Sequence, residues 1–198
     1  MPKRFCSPAL GRPFREKIGK TVKTMKAVLL HGYGNVDQLA YEDVPIPLAA
    51  AGQVLVKLTS TSVNPIDYKI RRGDMRNVMP LKLPFIPGYD LAGQVVALGE
   101  GVTDIKVDTL VMGVTDNTYA EYVACKAEIL ALMPQGLNPS EAGAFPLVLQ
   151  AGSQLIEKGV APQPGQRVLV TGALGGVITR QVTSGWLRGM FFCRQVHS

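Results

Sequence analysis

Between Met25 and Met133 apolar and polar residues follow one another in a two-residue rhythm. Gln53–Ser60 (QVLVKLTS) alternates strictly, the pattern of a strand with one buried and one wet face. Lys26–His31, Leu39–Val44, Leu91–Leu98, Val107–Met112, Tyr119–Ala124 and Ile129–Met133 read as further short strands. Turns such as Gly32-Tyr33-Gly34-Asn35 and Gly99–Gly101 separate them. Two segments break the rhythm. Asn64–Gly73 reads as a short helix with Asn64 as cap, Pro65 at the first helical position and Gly73 at the exit. A second helical stretch starts at Pro139-Ser140-Glu141-Ala142, with Asn138 or Ser140 as its cap. It is interrupted at Pro146 and runs to about Lys158. After Pro164-Gly165, Arg167-Val168-Leu169-Val170-Thr171 is a β-prone apolar run that enters Gly172-Ala173-Leu174-Gly175-Gly176-Val177.

These elements predict two unlike domains, a mixed β and α/β fold. Several short strands with turns between them suggest a small β barrel or sandwich over residues 25–147. A buried strand running into a glycine-rich turn is how a dinucleotide-binding domain opens. The glycines let backbone N–H groups approach a pyrophosphate, and a helix N-terminus completes the anion site. Residues 148–178 are therefore expected to begin such a domain, with Thr171, Gly172, Ala173, Gly175, Gly176 and Val177 as the cofactor cradle.

Charge divides the chain further. Residues 1–26 hold eight Lys/Arg against one acid, residues 27–165 nine against fourteen, and residues 166–198 four against none. The net charge of +6 thus sits at the two ends, and no basic face on a folded domain points to nucleic acid. Residues 1–24 have no hydrophobic period and no secretory core, so they are expected to be a disordered basic extension, with Met25 as the functional start. They are acid-poor, as a mitochondrial transit peptide is, but also Ser-poor and interrupted by Pro2, Pro8 and Pro13. No apolar run approaches the roughly 18 residues of a membrane span. Cys6, Cys125 and Cys193 are far apart and in no metal-ligand spacing, which fits free thiols in the cytoplasm.

The segments MKAVLLHGYG, SVNPIDYKIRRGDM, PFIPGYDLAGQVVALGEGV, TYAEYV and PGQRVLVTGALGGV together resemble the medium-chain dehydrogenase/reductase superfamily, in its zinc-free quinone oxidoreductase (zeta-crystallin-like) branch. The resemblance covers about residues 25–177. It implies a GroES-like β domain that contacts substrate, a Rossmann domain that holds NADPH, and a cleft between them. It also implies reduction of quinones, enones or related activated alkenes, with hydride leaving nicotinamide C4 and a proton added separately.

Zinc-dependent members have a thiolate where this chain has Asn64, and Gly-His-Glu where it has Gly88-Tyr89-Asp90. Asn and Tyr are poor zinc ligands, so no metal is expected. Substrate polarisation then falls to hydrogen bonds. The candidates are Asn64 through its amide, Tyr68 through its phenol and Lys69 through its ammonium. Each also has a plain structural reading, as a helix cap, a packing ring and part of a solvated face with Arg71 and Arg72. Asp90 is read as structural, holding the cleft loop.

Past Val177 the resemblance stops. Ile178 stands where the family has a third glycine, and Thr179–Ser198 shows no helical stripe and no second strand ending in a ribose-reading residue. A divergent tail, as a shifted reading frame or alternative splice produces, is expected over 179–198. Strand 166–171 is then expected to lack parallel neighbours and to leave an open edge prone to aggregation or homodimer formation. On this reading NADPH binding is weakened. The alternative function is that of a non-catalytic GroES-like module that binds a partner.

Overall fold

The computed structural model describes residues 23–161 and 163, together with the backbone of two strands over residues 167–170 and 191–194. Residues 1–22 and 171–190 lie outside the described residues, and with them the whole expected cofactor cradle, Thr171, Gly172, Ala173, Gly175, Gly176 and Val177.

Strand β1 (Thr24–Leu30) pairs antiparallel with β2 (Leu39–Pro45) in register from Thr24 opposite Pro45 to Leu30 opposite Leu39. The main sheet has five strands: β3 (Gln53–Ser60), β4 (Asp90–Leu98), β5 (Leu110–Val114), β6 (Tyr122–Lys126) and β7 (Leu130–Leu132). Their spatial order is β6-β3-β4-β5-β7, all antiparallel. Two register shifts, between Leu55 and Val56 and between Leu58 and Ser60, bend β3 against β4. The hairpin closes onto this sheet through β1. Val28 N–H donates to Tyr119 O at 2.8 Å, Glu121 N–H donates to Lys26 O at 3.0 Å, and Leu30 and Phe85 exchange two bonds of 2.7 and 3.0 Å.

Alternation in the sequence becomes the core. Val54, Val56, Leu91, Val95, Val111, Val123 and Cys125 form one buried cluster. Ala92 and Met112 point the other way and pack with Ala142, so β4 and β5 are covered on both faces. Helix α1 (Pro65–Arg72) links β3 to β4. The expected helix after Pro139 is two helices, α2 (Pro139–Ala142) and α3 (Pro146–Gln154), followed by a π-type turn over Leu155–Val160. The Asn138 side chain caps α2, accepting from Ser140 N–H at 3.0 Å.

Three strand boundaries differ from expectation. Asp108 sits at φ 69°, a left-handed turn, so the expected strand from Val107 begins only at Leu110. Tyr119 and Glu121 bond to β1, Glu121 O also accepts Leu58 N–H of β3 at 2.9 Å, and the residue-by-residue pairing with β3 begins at Tyr122, where β6 starts. β7 keeps only Leu130–Leu132 of the expected Ile129–Met133. A fourth difference corrects the tail. β8 (Arg167–Val170) has a parallel neighbour, β9 (Phe191–Arg194), in register from Arg167 opposite Phe191 to Val170 opposite Arg194. The Phe191-Phe192-Cys193 run is β-prone, and twenty residues of connection exceed the dozen a parallel crossover needs.

Candidate functional site

The site grows from the end of β3. Past Ser60 the chain stays extended through Asn64 (φ −111°, ψ 158°), and Pro65 then starts α1 with its fixed φ and no N–H to waste. The helix stops at Gly73, whose φ of 86° lets its N–H reach Ile70 O at 2.9 Å. The segment Thr61–Asp67 is thereby held against the first residue of β4, Asp90.

Asp90 is 1% exposed, and both its carboxylate oxygens accept hydrogen bonds. Oδ1 accepts the backbone N–H of Leu147 in α3 at 2.7 Å. Oδ2 accepts Asn64 Nδ2 at 2.7 Å and the Ser62 hydroxyl. Its backbone carbonyl accepts Thr61 Oγ1 at 2.7 Å. One buried side chain thus ties the loop before α1 to the start of α3 and, as expected, acts structurally.

Asn64 is 7% exposed. Its second Nδ2 contact is Ser62 Oγ at 3.0 Å. A carboxylate only accepts, so the amide nitrogen must be the atom facing Asp90. Both amide protons are therefore spent inside the protein. The backbone N–H of Asn64 donates to Asp67 Oδ2 at 2.6 Å, the reach-back half of a capping box. Asn64 occupies the N-cap position while its amide turns inward.

Asp67 is 5% exposed and presents two unlike oxygens. Oδ2 accepts from Asn64 N–H and from the Tyr119 hydroxyl at 2.9 Å. Oδ1 is buried with no hydrogen-bond partner. Burial raises the carboxyl pKa above its ordinary value, the two hydrogen bonds oppose the rise, and the nearby Asp90 charge adds to it. Tyr119 is pushed up as well, by burial first and then by Asp67, with Asp90 a lesser cause. Tyr89 is half-buried, and burial, with the charges of Asp116 and Asp67, lifts its phenol to about 12. Asp116 is raised by burial. Gly88 fits the turn between these groups because its φ is 95° and a Cβ there would meet Tyr119 Cε1 at 2.7 Å.

Of the three candidates named from sequence, only Asn64 enters this cluster. Tyr68 is 42% exposed, with the Arg72 guanidinium 5.6 Å from its ring centroid, and Lys69 is exposed beside it. Sequence reasoning passed over Ser62, Asp67 and Tyr119. Asp67 carried a signal, since Asn followed three residues later by an acid is capping-box spacing. Tyr119 carried none, because it arrives from 52 residues away. Among the described residues no three His, Cys, Asp or Glu side chains gather to hold a metal ion.

Residues 50–135 match the family described as alcohol dehydrogenase GroES-like domain. A quinone-oxidoreductase homolog of the chloroplast from Spinacia oleracea is 33% identical over 165 residues, covering 78% of this chain and 50% of that protein. A 2-methylene-furan-3-one reductase from Solanum lycopersicum is 35% identical over 164 residues, 77% of this chain and 42% of that one. A chloroplastic NADPH-dependent alkenal/one oxidoreductase from Arabidopsis thaliana is 32% identical over 166 residues, 78% and 42%. The chain spans about half the length of the curated relatives it matches. Among solved structures, an alcohol dehydrogenase superfamily protein from Novosphingobium aromaticivorans superposes with TM-score 0.78 at 33% identity, covering 85% of this chain and 52% of that one. The quinone oxidoreductase from Coxiella burnetii gives 0.73 at 28% identity, covering 86% and 56%. With its GroES-like β domain and its strand order now in view, the chain belongs to the quinone oxidoreductase branch of the medium-chain dehydrogenase/reductase superfamily.

Proposed function

We propose that this chain supplies the substrate side of an NADPH-dependent oxidoreductase that reduces quinones or activated alkenes, such as enones, without zinc. The observation that carries the reading is the Asn64–Asp90 bond of 2.7 Å. At the position where zinc members place a thiolate, this chain presents an amide nitrogen that has no lone pair for a metal and whose protons are already committed. The relatives named as quinone and alkenal/one oxidoreductases support the reaction class.

When bound, NADPH supplies hydride. The residues of this chain would do the rest. Asn64, Ser62 and Asp90 fix the loop that borders the substrate, Tyr89 and Tyr119 offer neutral phenols, and Tyr68 and Lys69 lie on the outer surface of α1. Thr171–Val177 would receive the pyrophosphate. Among the described residues no further strand pairs with the outer edges of β6 and β7, and pairing of such an edge with a second copy makes a homodimer part of the proposal. We place the protein in the cytoplasm, on the reading of its cysteines as free thiols. Relatives named as chloroplastic and mitochondrial make an organelle the competing outcome, which microscopy of a C-terminally tagged chain decides.

The test is NADPH oxidation by the purified chain with 9,10-phenanthrenequinone and with 3-penten-2-one, before and after dialysis against a chelator. Quinone- or enone-dependent oxidation that survives dialysis is expected. Oxidation lost on dialysis and restored by zinc overturns the zinc-free part. No oxidation with either substrate class at saturating NADPH overturns the catalytic reading in favour of a non-catalytic binding module.

A further inference from the structure

Two buried carboxylates flank Asn64, and they are not equivalent. Asp90 has donors on both oxygens: Leu147 N–H on one, and the Asn64 amide and Ser62 hydroxyl on the other. Among the described residues Asp67 has two donors on Oδ2 and none on Oδ1, although the residue is 5% exposed. A buried charged oxygen without a donor is costly, and a proton on Oδ2 lowers that cost by leaving Oδ1 a neutral carbonyl oxygen. Among the described residues, the titratable groups that act on Asp67 are Tyr119, Asp90 and Tyr89, none of them a cation. Two acids set in environments this different can divide their roles, and the one with a bare buried oxygen is the one on which a proton relieves the most cost.

We propose that Asp67 is the proton reservoir of the site and delivers its proton through the Tyr119 hydroxyl to the substrate. This rests on the reductase reading above. The 2.9 Å contact between Tyr119 Oη and Asp67 Oδ2 serves a proton in either direction. In the step, hydride from the reduced nicotinamide adds to the quinone or to the β-carbon of the enone. The Tyr119 O–H bond breaks as the new bond to hydrogen forms on the resulting oxyanion. The Asp67 Oδ2–H bond breaks as Tyr119 recovers its hydrogen. One hydride and one proton have then been added, and Asp67 is left as a carboxylate that solvent reprotonates. The rise in the Asp67 pKa, caused first by burial, agrees with this assignment.

Two measurements on the full chain test it. Infrared spectra near neutral pH are expected to contain a protonated-carboxyl band that Asp67→Asn removes and Asp116→Asn keeps. Absence of a band specific to Asp67 overturns the reservoir. In turnover with phenanthrenequinone, Asp67→Asn and Tyr119→Phe are each expected to lower kcat by a factor of ten or more with KM little changed, and to abolish the fall in rate on the alkaline side. A wild-type pH profile in Asp67→Asn overturns the relay. A wild type without turnover sinks the reductase reading and the relay with it, while the infrared band still decides whether Asp67 holds the proton.

Discussion

Cys125 and Asp67 show what burial does to a titratable side chain. Cys125 lies in the first core cluster, opposite Val54 on β3, and burial lifts its thiol to about 11. At neutral pH the thiol then stays protonated, and a protonated thiol is a poor nucleophile. We expect alkylation of the native chain, read by peptide mass spectrometry, to spare Cys125 until urea unfolds the protein; rapid native labelling would contradict the packing. Asp67 makes a stability prediction. Its folded-state pKa lies above that of the unfolded chain, so between the two values the folded form binds more protons. Its contribution to stability is present in acid and is lost as pH rises through that window. Asp67→Asn does not titrate, so urea melts should show the variant gaining on the wild type from acid to neutral pH. A difference independent of pH would remove the linkage. Asn64 was legible in the sequence because a cap before proline is a local pattern. That its amide faces Asp90 was not, since the two residues meet only once β3 and β4 pair.

Turns set the limits of the strands, and glycine sets the limits of the turns. Gly88 joins the Pro-rich approach to β4, and its φ of 95° and its closeness to Thr118 and Tyr119 both exclude a side chain. Gly101 has a similar φ of 80° but open space around it. We expect Gly101→Ala to cost about 1–2 kcal/mol, from backbone strain alone. Gly88→Ala should cost about 2–4 kcal/mol, because overpacking adds to the strain. Equal losses in urea unfolding would show that the Tyr119 ring yields freely. The same physics explains what the sequence hid. Alternation placed β3 and β4 correctly, but a left-handed Asp108 looks like any other polar residue before a strand. The parallel partner of β8 was missed for a different reason. Phe191–Arg194 is only four residues long, and its pairing depends on a crossover rather than on a neighbouring turn.

Across the whole molecule, order is set by how many sides of a strand are covered. β3 lies between β6 and β4, and β4 between β3 and β5, and their inward side chains Val54, Val56, Leu91 and Val95 are fully buried. Opening either strand exposes the first core cluster and breaks two ladders at once. β7 has three residues, one ladder, and Leu132 at 68% exposure. Among the described residues β2 pairs with β1 alone, and its side chains are half-buried at most. Native-state hydrogen exchange should therefore find the slowest amides in β3 and β4, exchanging only through global unfolding, with β2 and β7 exchanging through local opening. Leu91→Ala should accelerate β3, β4 and β5 together, by an amount equivalent to about 2–5 kcal/mol. Leu132→Ala should stay within about 0.5 kcal/mol and act on β7 alone. If β2 or β7 proved as protected as β3, the open edges would have to be covered in solution, by a second copy of the chain or by residues outside those described. Protection at those edges that fell on dilution would identify the cover as a second copy.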